Sequence, residues 1–365
     1  MKKNAVVYIT GHGYGHLSQT IEVLIALHKK NSNIQFQIIT SIPEAVVNVR
    51  VADQIPASHI HYIYDETGVD IGIPMVDAMQ VNQEETIAAY KKIHSEWVSH
   101  IKFEEQRLAV LQPDIVLSNV GYIPLQAAAN LSIPAIALCS LDWASTWQVF
   151  GSQDNEGKVI FSQIIEAYRS ANLFLQMTPH LPMSFLDNTV SVPFVVRQGK
   201  SKRHVIDQRF SQCLGKKLIL ISMGGMDAEI NFEQWPKIDQ VIYLVSGKNN
   251  LPNGFIHTDE LRLDFSAIMA SVDAVLTKTG YGMVVESAVN QTPLFYVARI
   301  DWPEHEVMLE WCKENNCVSE VDRCELEQGL TKDKIDGLFS RSAKNKIFDM
   351  GQGTEICADH IQLLM

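Results

Sequence analysis

The chain has 365 residues, of which 46% are apolar and 20% charged, and its formal net charge is −12 at pH 7. A chain of this length exceeds what one hydrophobic core usually supports, so we expect two domains. The acidic balance argues against nucleic acid or an anionic membrane as the main partner, since proteins that bind either one present basic surfaces.

The cysteines and the hydropathy pattern exclude further classes. Six cysteines, at positions 139, 213, 312, 317, 324 and 357, show neither a CxxC spacing nor a pairing rhythm, which disfavours a zinc site and a disulfide framework. No window approaches the roughly 20 apolar residues of a membrane span. The apolar run at 5–9 is too short for a signal peptide. We therefore expect a cytoplasmic protein with no transmembrane segment.

The first predicted strand, at 5–9, leads into a loop of alternating glycines and then a helix at 17–28. The loop reads Gly11-His-Gly-Tyr-Gly-His16, and it differs from the GxGxxG of dinucleotide sites because His16 stands where the third glycine belongs. The next strand, at 34–40, ends without the acidic residue that holds a ribose. These two differences disfavour an NAD site.

His12 and His16 follow the first strand, and ligands of parallel sheets bind at the edge where the carboxyl ends of the strands gather. An imidazole near its ordinary pKa can take a proton from a hydroxyl at neutral pH. His16 is therefore the predicted general base, and His12 is a candidate substrate contact. The alternative is that His16 caps the first turn of the helix.

A βα alternation continues through the first half of the chain. Residues 65–83 lack periodicity and are predicted as a long loop, which in a compact domain is usually functional. The elements that follow are a long helix at 84–111, a strand at 113–119, a helix at 122–130, strands at 134–139 and 173–177 with a helix at 156–171 between them, and an extended segment at 190–196. Such an alternation predicts a parallel sheet. Asn119 and Asp142 fall near its carboxyl edge and are candidate substrate contacts.

The second half repeats the same organisation after a charged, patternless segment that we predict to be a linker. Its predicted strands lie at 217–222, 240–245, 274–276 and 294–297, and its helices at 283–289, 304–315, 324–339 and 354–364. The strand at 217–222 runs into Gly224 and Gly225, so both halves open with a strand and a glycine loop. The predicted organisation is a domain at 1–196, a linker at 197–216 and a domain at 217–365, each with a parallel sheet.

The turn at 278–282 is the predicted diphosphate site. It joins a strand to a helix, so the free N–H groups and the positive end of the helix dipole face whatever lies beyond the strand. The absence of Cβ atoms at Gly280 and Gly282 lets a phosphate approach. Glu286, about one turn into the helix, is placed to accept hydrogen bonds from ribose hydroxyls. The alternative is an ordinary βαβ turn with a solvated glutamate.

Five motifs stand in series along the chain. They are Gly11-His-Gly-Tyr-Gly-His16, Val192-Pro-Phe-Val-Val-Arg197, Gly224-Gly225, Thr279-Gly-Tyr-Gly-Met-Val-Val-Glu286 and Arg299-Ile-Asp-Trp-Pro-Glu304. In this order and separation they resemble the glycosyltransferase-like N-terminal portion of L-arabinokinase-type proteins. More distantly, they resemble GT-B transferases of the MurG type and the glycosyltransferase 28 group. The resemblance implies an α/β GT-B fold, in which two Rossmann-like domains with parallel sheets face a central cleft.

The resemblance also implies that the N-terminal domain binds an acceptor and the C-terminal domain binds a nucleotide-sugar donor. Its catalytic base would be His16. The predicted nucleotide-sugar-binding residues are Gly13, Gly15, Gly224, Gly225, Thr279, Gly280, Tyr281, Gly282 and Glu286. MurG-type enzymes carry amide side chains after the last strand that hold the donor sugar. Here Glu304 and His305 occupy that place, and both are candidate substrate contacts.

The expected function is the transfer of a sugar from a UDP-sugar to a hydroxyl of an unidentified acceptor, which is a small molecule, a glycan or a lipid. The reaction is expected to be metal-independent and inverting and to use no cofactor. Two alternatives use the same fold. One is a UDP-sugar 2-epimerase, and the other is a nucleotide-sugar-binding regulatory protein without transfer activity, which the replacement of the amides by residues 304–306 favours.

Overall fold

The computed structural model describes residues 2–52, 54–67, 70–224, 230–247, 251–341 and 346–365. The chain forms two compact units. The first comprises Met1–Met75, Val81–Val195 and Gly351–Met365, and the second comprises Val76–Gln80 and Val196–Met350. Each unit contains one parallel sheet with helices in the connections, which confirms the predicted fold class of two Rossmann-like domains.

The first unit contains a seven-stranded parallel sheet in the order β3-β2-β1-β4-β5-β6-β7. Its strands are β1 (Lys3–Ile9), β2 (Ile34–Thr40), β3 (Ile60–Tyr64), β4 (Ile115–Asn119), β5 (Ala135–Cys139), β6 (Leu173–Met177) and β7 (Thr189–Val192). Its helices are α1 (Tyr14–Lys30), α2 (Glu44–Val51), α3 (Gln83–Ser95), α4 (Trp97–Leu111), α5 (Ile123–Asn130), α6 (Trp143–Phe150), α7 (Asn155–Arg169) and α15 (Gln352–Leu364). The central strands β4 and β5 are buried along their whole length, as expected for a sheet covered on both faces.

The second unit contains a six-stranded parallel sheet in the order β10-β9-β8-β11-β12-β13. Its strands are β8 (Lys217–Ile221), β9 (Val241–Val245), β10 (Phe255–His257), β11 (Ala274–Lys278), β12 (Leu294–Val297) and β13 (Val318–Val321). Its helices are α8 (Arg203–Arg209), α9 (Thr258–Leu261), α10 (Phe265–Met269), α11 (Tyr281–Val289), α12 (His305–Asn315), α13 (Arg323–Gln328) and α14 (Lys332–Phe339). Ala274 and Leu276 pack in one hydrophobic cluster and Val275 in another, because successive side chains of β11 point to opposite faces.

The compact units differ from the predicted domains at three places. Gly351–Met365, predicted in the second domain, belongs to the first unit because α15 packs on α1, where Lys30 Nζ lies 2.8 Å from Glu355 and 2.6 Å from Asp359. The predicted linker 197–216 belongs to the second unit and contains α8. Val76–Gln80, predicted within a loop of the first domain, also belongs to the second unit.

Two of the helix predictions are wrong, because each of these predicted helices is divided into two helices in the structure. The predicted helix at 84–111 is interrupted at Glu96, whose backbone leaves the helical region and whose N–H bonds to the carbonyl oxygen of Ile93. The predicted helix at 324–339 is interrupted at Gly329, whose φ of 89° ends α13. Among the described residues, no helix has both the length and the apolarity that crossing a bilayer requires.

Candidate functional site

His16 lies in the first turn of α1, directly after the glycine loop that follows β1. Its Nδ1 atom is 2.9 Å from Oδ1 of Asn119, the buried last residue of β4, and 3.5 Å from Sγ of Cys139 at the end of β5. The strand order places β1 beside β4 and β4 beside β5, so three strand ends meet at this imidazole. The residue before α1 is Gly13, which has no side chain to cap the helix, and the imidazole of His16 faces Asn119.

Asn119 determines which nitrogen of His16 carries the hydrogen. The amide NH₂ of Asn119 donates to Oε1 of Gln19 at 3.2 Å and to the backbone carbonyl of His16 at 3.4 Å. Its Oδ1 atom is therefore the acceptor that faces His16, and His16 Nδ1–H donates to it. Nε2 then carries the lone pair of the neutral ring, which is the atom a general base needs.

Burial lowers the pKa of His16 from its ordinary 6.5 to about 4, and the hydrogen bond to Asn119 opposes this only in part. Asn119 is neutral, so it orients the ring without stabilising the imidazolium as a carboxylate would. His16 is therefore an uncharged imidazole at neutral pH, in the protonation state that a base requires.

The second predicted histidine is held by the loop that follows β3. The Nδ1 atom of His12 accepts a hydrogen bond from the N–H of Ile73 at 3.3 Å. Its ring centroid lies 5.5 Å from that of Trp143, edge to face, and 6.4 Å from that of His16. His12 is thus a neighbour of the proposed base and part of the same edge of the sheet.

Asp142 and Asp70 are two carboxylates at this edge of the sheet. Asp142, a predicted substrate contact, caps α6 by accepting hydrogen bonds from the N–H of Ser145 at 2.7 Å and its hydroxyl at 2.6 Å, so both of its oxygens are used within the protein. Burial raises its pKa to about 6. Asp70, which the sequence did not single out, accepts a hydrogen bond from Nε1 of Trp143 at 3.1 Å, and burial raises its pKa to about 7. Only its place in the long loop could have indicated it.

A small polar cavity adjoins Asp70. It leaves about 30 Å³ for the centres of water molecules, which is room for about two waters. Its lining includes Gly11 at the start of the glycine loop, Ser41 after β2 and Gly121 after β4. The carboxyl ends of three neighbouring strands thus surround a small cavity in the first unit.

The glycine turn of the second unit lies at the start of α11, as predicted. Gly280 is the residue before the helix, its φ of −165° is extended, and a Cβ atom built there would meet nothing within 4 Å. Tyr281 is the first residue of α11 and is buried, Gly282 is half-buried, and Glu286 is buried five residues into the helix. The open space at Gly280 is where a ligand group could approach the backbone.

The first unit has two glycines with comparable open space, and Gly224 of the second unit has a positive φ. Gly13 and Gly15 also have nothing within 4 Å of a built Cβ atom, and both stand at the start of α1. Gly224 follows β8 with a φ of 70°, a conformation that favours glycine. Gly225 lies outside the described residues.

The residues that follow β11 and β12 contact each other. The hydroxyl of Thr279 lies 3.0 Å from Nδ1 of His305, the first residue of α12. Oε2 of Glu304 accepts a hydrogen bond from Nε1 of Trp302 at 3.2 Å. All four side chains are buried, so the structure brings the predicted turn and the predicted sugar-contact segment together at one edge of the second sheet.

Two buried cations at this edge were missed. Lys278, the last residue of β11, is 7% exposed, and Arg299, which follows β12, is 4% exposed. The guanidinium carbon of Arg299 lies 4.0 Å above the ring of Trp302. Their positions at strand ends were visible in the sequence, but a lysine before a glycine turn is typical of a solvated loop. No group of three or more His, Cys, Asp or Glu side chains in the described part of the chain could hold a metal ion.

Solved structures with the same arrangement of elements are glycosyltransferases. The calicheamicin glycosyltransferase CalG4 superposes with a TM-score of 0.64 at 16% identity, covering 100% of this chain and 98% of that one. UGT89C1 of Arabidopsis thaliana, complexed with UDP, superposes with a TM-score of 0.59 at 12% identity over 100% of both chains. The chain has the GT-B fold. UGT71G1 of Medicago truncatula, complexed with UDP-glucose, is a further GT-B neighbour, with a TM-score of 0.59 at 13% identity over 100% of this chain and 98% of that one.

A curated relative supports the resemblance stated from the motifs. The L-arabinokinase of Arabidopsis thaliana is 24% identical over 330 residues, which cover 88% of this chain. The matched part is 31% of that protein, so the chain spans about a third of its length. No protein-family model matches the chain. The resemblance to the glycosyltransferase-like part of L-arabinokinase-type proteins is confirmed.

Proposed function

We propose that this protein is a glycosyltransferase that moves a sugar from a UDP-sugar to the hydroxyl of an acceptor by a metal-independent, inverting displacement. The observation that carries the proposal is the His16–Asn119 pair at the carboxyl edge of the first GT-B sheet. Asn119 holds the hydrogen on Nδ1, so Nε2 is the basic atom of a neutral imidazole.

The start of α11 supports a donor site in the second unit. The backbone around Gly280 is open, the N–H groups of the first helical turn have no partners within the helix, and the helix dipole favours negative charge there. A diphosphate leaving group needs these properties, because negative charge grows on its bridging oxygen as the bond to the sugar breaks. The GT-B neighbours solved with UDP and UDP-glucose bind this class of ligand.

The proposed reaction is a single displacement. The acceptor oxygen attacks the anomeric carbon while its proton passes to Nε2 of His16. The bond between that carbon and the β-phosphate oxygen breaks, its electron pair stays on UDP, and the configuration at the anomeric carbon inverts. Asn119 acts as a positioning residue, since it touches His16 rather than the reacting atoms. No cofactor enters this scheme.

Release of UDP from a panel of UDP-sugars, with and without a panel of hydroxyl acceptors, tests the proposal. We expect His16→Ala to lose at least about a hundredfold in turnover, the usual contribution of a general base, while its affinity for UDP stays unchanged. His61, an exposed histidine of β3, provides the matched control, and His61→Ala should keep full turnover. Full turnover by His16→Ala would remove the base assignment.

The donor site has its own variant. Glu286→Gln removes the charge of the carboxylate predicted to hold the ribose while keeping its size. We expect it to weaken UDP binding by about tenfold, as the loss of hydrogen bonds to a charged group does. Inorganic pyrophosphate should bind equally well to both proteins, and unaltered UDP affinity would contradict the ribose assignment.

A regulatory protein that binds nucleotide-sugar without transferring it is the second candidate. The contact of Glu304 with Trp302 favours it, because a buried carboxylate already bonded within the protein stands where related transferases use amides to hold the sugar. The same panel separates the candidates. Stabilisation by UDP-sugar with no product from any acceptor indicates the regulatory protein, and epimerised sugar without acceptor indicates a 2-epimerase.

A further inference from the structure

Lys278 and Arg299 form a pair of like charges inside the second unit. Burial is the larger cause that lowers the pKa of Lys278 and the positive charge of Arg299 is the second, and together they bring this pKa to about 7. Burial also lowers the pKa of Arg299 to about 10. Two neighbouring cations that are removed from water destabilise the folded protein unless an anion or a strong acceptor lies between them.

The turn Val76–Gln80 supplies these acceptors. The Nζ atom of Lys278 donates to the backbone carbonyl of Ala78 at 3.0 Å. The negative charge of Asp77 raises the pKa of Lys278 against the effect of burial, and at Arg299 it adds to the larger effects of Glu304 and Asp301. Ala78 is 1% exposed and packs in the hydrophobic cluster that contains Leu276 of β11. A carbonyl from a distant part of the sequence thus binds Lys278, and the carboxylate beside it in the chain acts on both cations through its charge.

The turn is closed by its own hydrogen bonds. The N–H of Val76 donates to the carbonyl of Gln80 at 2.8 Å. Oδ1 of Asp77 accepts from the N–H of Met79 at 2.7 Å and from the N–H of Gln80 at 2.8 Å. These bonds hold the shape of the segment. The side chain of Asp77 is 39% exposed. Its carboxylate also lies 3.9 Å from the exposed guanidinium of Arg323.

The same cations adjoin the backbone that the proposed function gives to the donor. A Cβ atom built on Gly224 would lie 3.9 Å from Cε of Lys278, so the backbone of Gly224 is close to this side chain. Lys278 precedes Thr279 and Gly280 at the start of α11. Because β8, β11 and β12 are neighbours in the sheet, Gly224, Lys278 and Arg299 gather at one edge.

We propose that Lys278 and Arg299 bind the diphosphate of the donor, and that Val76–Gln80 is an internal substitute for this anion which the diphosphate displaces. The inference rests on the proposed function and assigns the donor site two cations and a built-in competitor. A diphosphate offers charged oxygens, and charge-assisted hydrogen bonds are about twice as strong as those to a neutral carbonyl. When no ligand is bound, the turn supplies the acceptor and the negative charge for these cations.

If the diphosphate displaces the turn, variants of the turn should change the affinity for diphosphate in a direction that a purely structural anchor does not predict. If the turn and the diphosphate compete for the same cations, a variant that weakens the contact of the turn must increase the affinity for diphosphate, since the coupling between two binding events is reciprocal. If the turn were part of the ligand site, or only an anchor, the same variant would leave the affinity for diphosphate unchanged or would lower it. Variants at Asp77 and at Lys278 therefore carry opposite expectations.

Calorimetric titration of the full chain with inorganic pyrophosphate, UDP and uridine tests the inference. Lys278→Met, which keeps the length of the side chain, should weaken pyrophosphate and UDP by about tenfold to a hundredfold. Lys278→Arg should restore most of that loss, and Lys237→Met, at an exposed lysine of the same unit, should change nothing. Uridine has no phosphate, so its binding should be the same in all four proteins.

Variants of Asp77 provide the second part of this experiment. Asp77→Asn removes the charge and keeps an oxygen that can accept the turn's hydrogen bonds, and it should tighten pyrophosphate binding by about twofold to fivefold, as expected for a partly exposed ion pair. Asp77→Ala also removes those hydrogen bonds and should tighten it further. Thermal unfolding of each variant verifies that the fold is retained.

Each outcome decides the question. Wild-type affinity for pyrophosphate in Lys278→Met, no binding of pyrophosphate to the wild type, or unchanged or weaker binding in Asp77→Ala overturns the inference. If pyrophosphate binding depends on Lys278 and Asp77 as stated but no UDP-sugar is ever consumed, the proposed transferase function fails and the anion site stands. If transfer occurs and Lys278→Met binds UDP normally, the function stands and this assignment fails.

Discussion

Replacing Asn119 by Asp should raise the pKa of His16 by about 1 to 3 units. Desolvation lowers that pKa from 6.5 to about 4, and since one unit corresponds to about 1.4 kcal/mol, charging the ring costs about 3 kcal/mol more than in water. A carboxylate at the place of Asn119 Oδ1, 2.9 Å from Nδ1, would favour the imidazolium by the amount usual for a close opposite charge. We therefore expect His16 to titrate between about pH 5 and 7 in the variant.

Nuclear magnetic resonance of ¹⁵N-labelled histidine measures this without any substrate. The His16 signals are identified by their loss in His16→Gln, and their pH titration gives the pKa in each protein. The ¹⁵N shifts also report the tautomer, and we expect hydrogen on Nδ1 in the wild type. The neighbours that face His16 are Asn119, Cys139, His12 and Trp143, none of which carries a fixed charge.

Stability should follow the same shift. The pKa of His16 is lower in the folded than in the unfolded state, so its contribution to stability is present above pH 6.5 and is lost as the pH falls through about 4. Asn119→Asp narrows the difference between the two pKa values, so the variant should lose less stability over this range. A wild-type His16 that titrates near 6.5, or a titration that Asn119→Asp leaves unmoved, would refute the reasoning.

Three further predictions concern single side chains. Gly280→Ala should leave the melting temperature unchanged, because the φ there is extended and the added methyl group meets no protein atom, yet it should weaken UDP binding at least about tenfold in calorimetry. Asp142→Ala should lower the free energy of unfolding by about 1–2 kcal/mol in urea titrations through loss of the α6 cap, whereas Asp142→Asn should retain most of it. UDP affinity should fall as the pH rises from 7.5 to 9, because free Lys278, faced by Arg299 and Asp77, has a pKa of about 7 and must take up a proton to bind the anion; Lys278→Arg should abolish this dependence.

The sequence was sufficient for most strands of the two sheets, but β3 and β13 were not predicted. Buried parallel strands are continuous apolar runs, and the alternation with helices identified most of them and the fold class. The boundaries inside helical stretches were not predictable in the same way. The break at Glu96 depends on one residue's backbone in a stretch that is otherwise helical, and α6 begins at an Asp142 cap that resembles an ordinary loop in the sequence.

The candidate site was predicted by residue type but not by contact. His16 was identified by its place after the first strand, and Asn119 by its place at the end of another. Their hydrogen bond requires that β1 and β4 be adjacent, which only the strand order gives. Lys278 was missed because burial of a lysine before a glycine turn depends on Ala78, some 200 positions earlier in the sequence. Interactions this distant in sequence leave no local pattern.

The return of Gly351–Met365 to the first unit has a consequence for biosynthesis. Cys357, Ala358 and Ile361 of α15 are fully buried there, and Gly353 packs against the backbone of Pro193 and Phe194. A ribosome makes Lys3 to Val195 long before it makes these residues. The nascent first unit therefore waits, with the surface of α1 uncovered, until the second unit has been translated, and chaperones that recognise apolar surface have their opportunity during this interval.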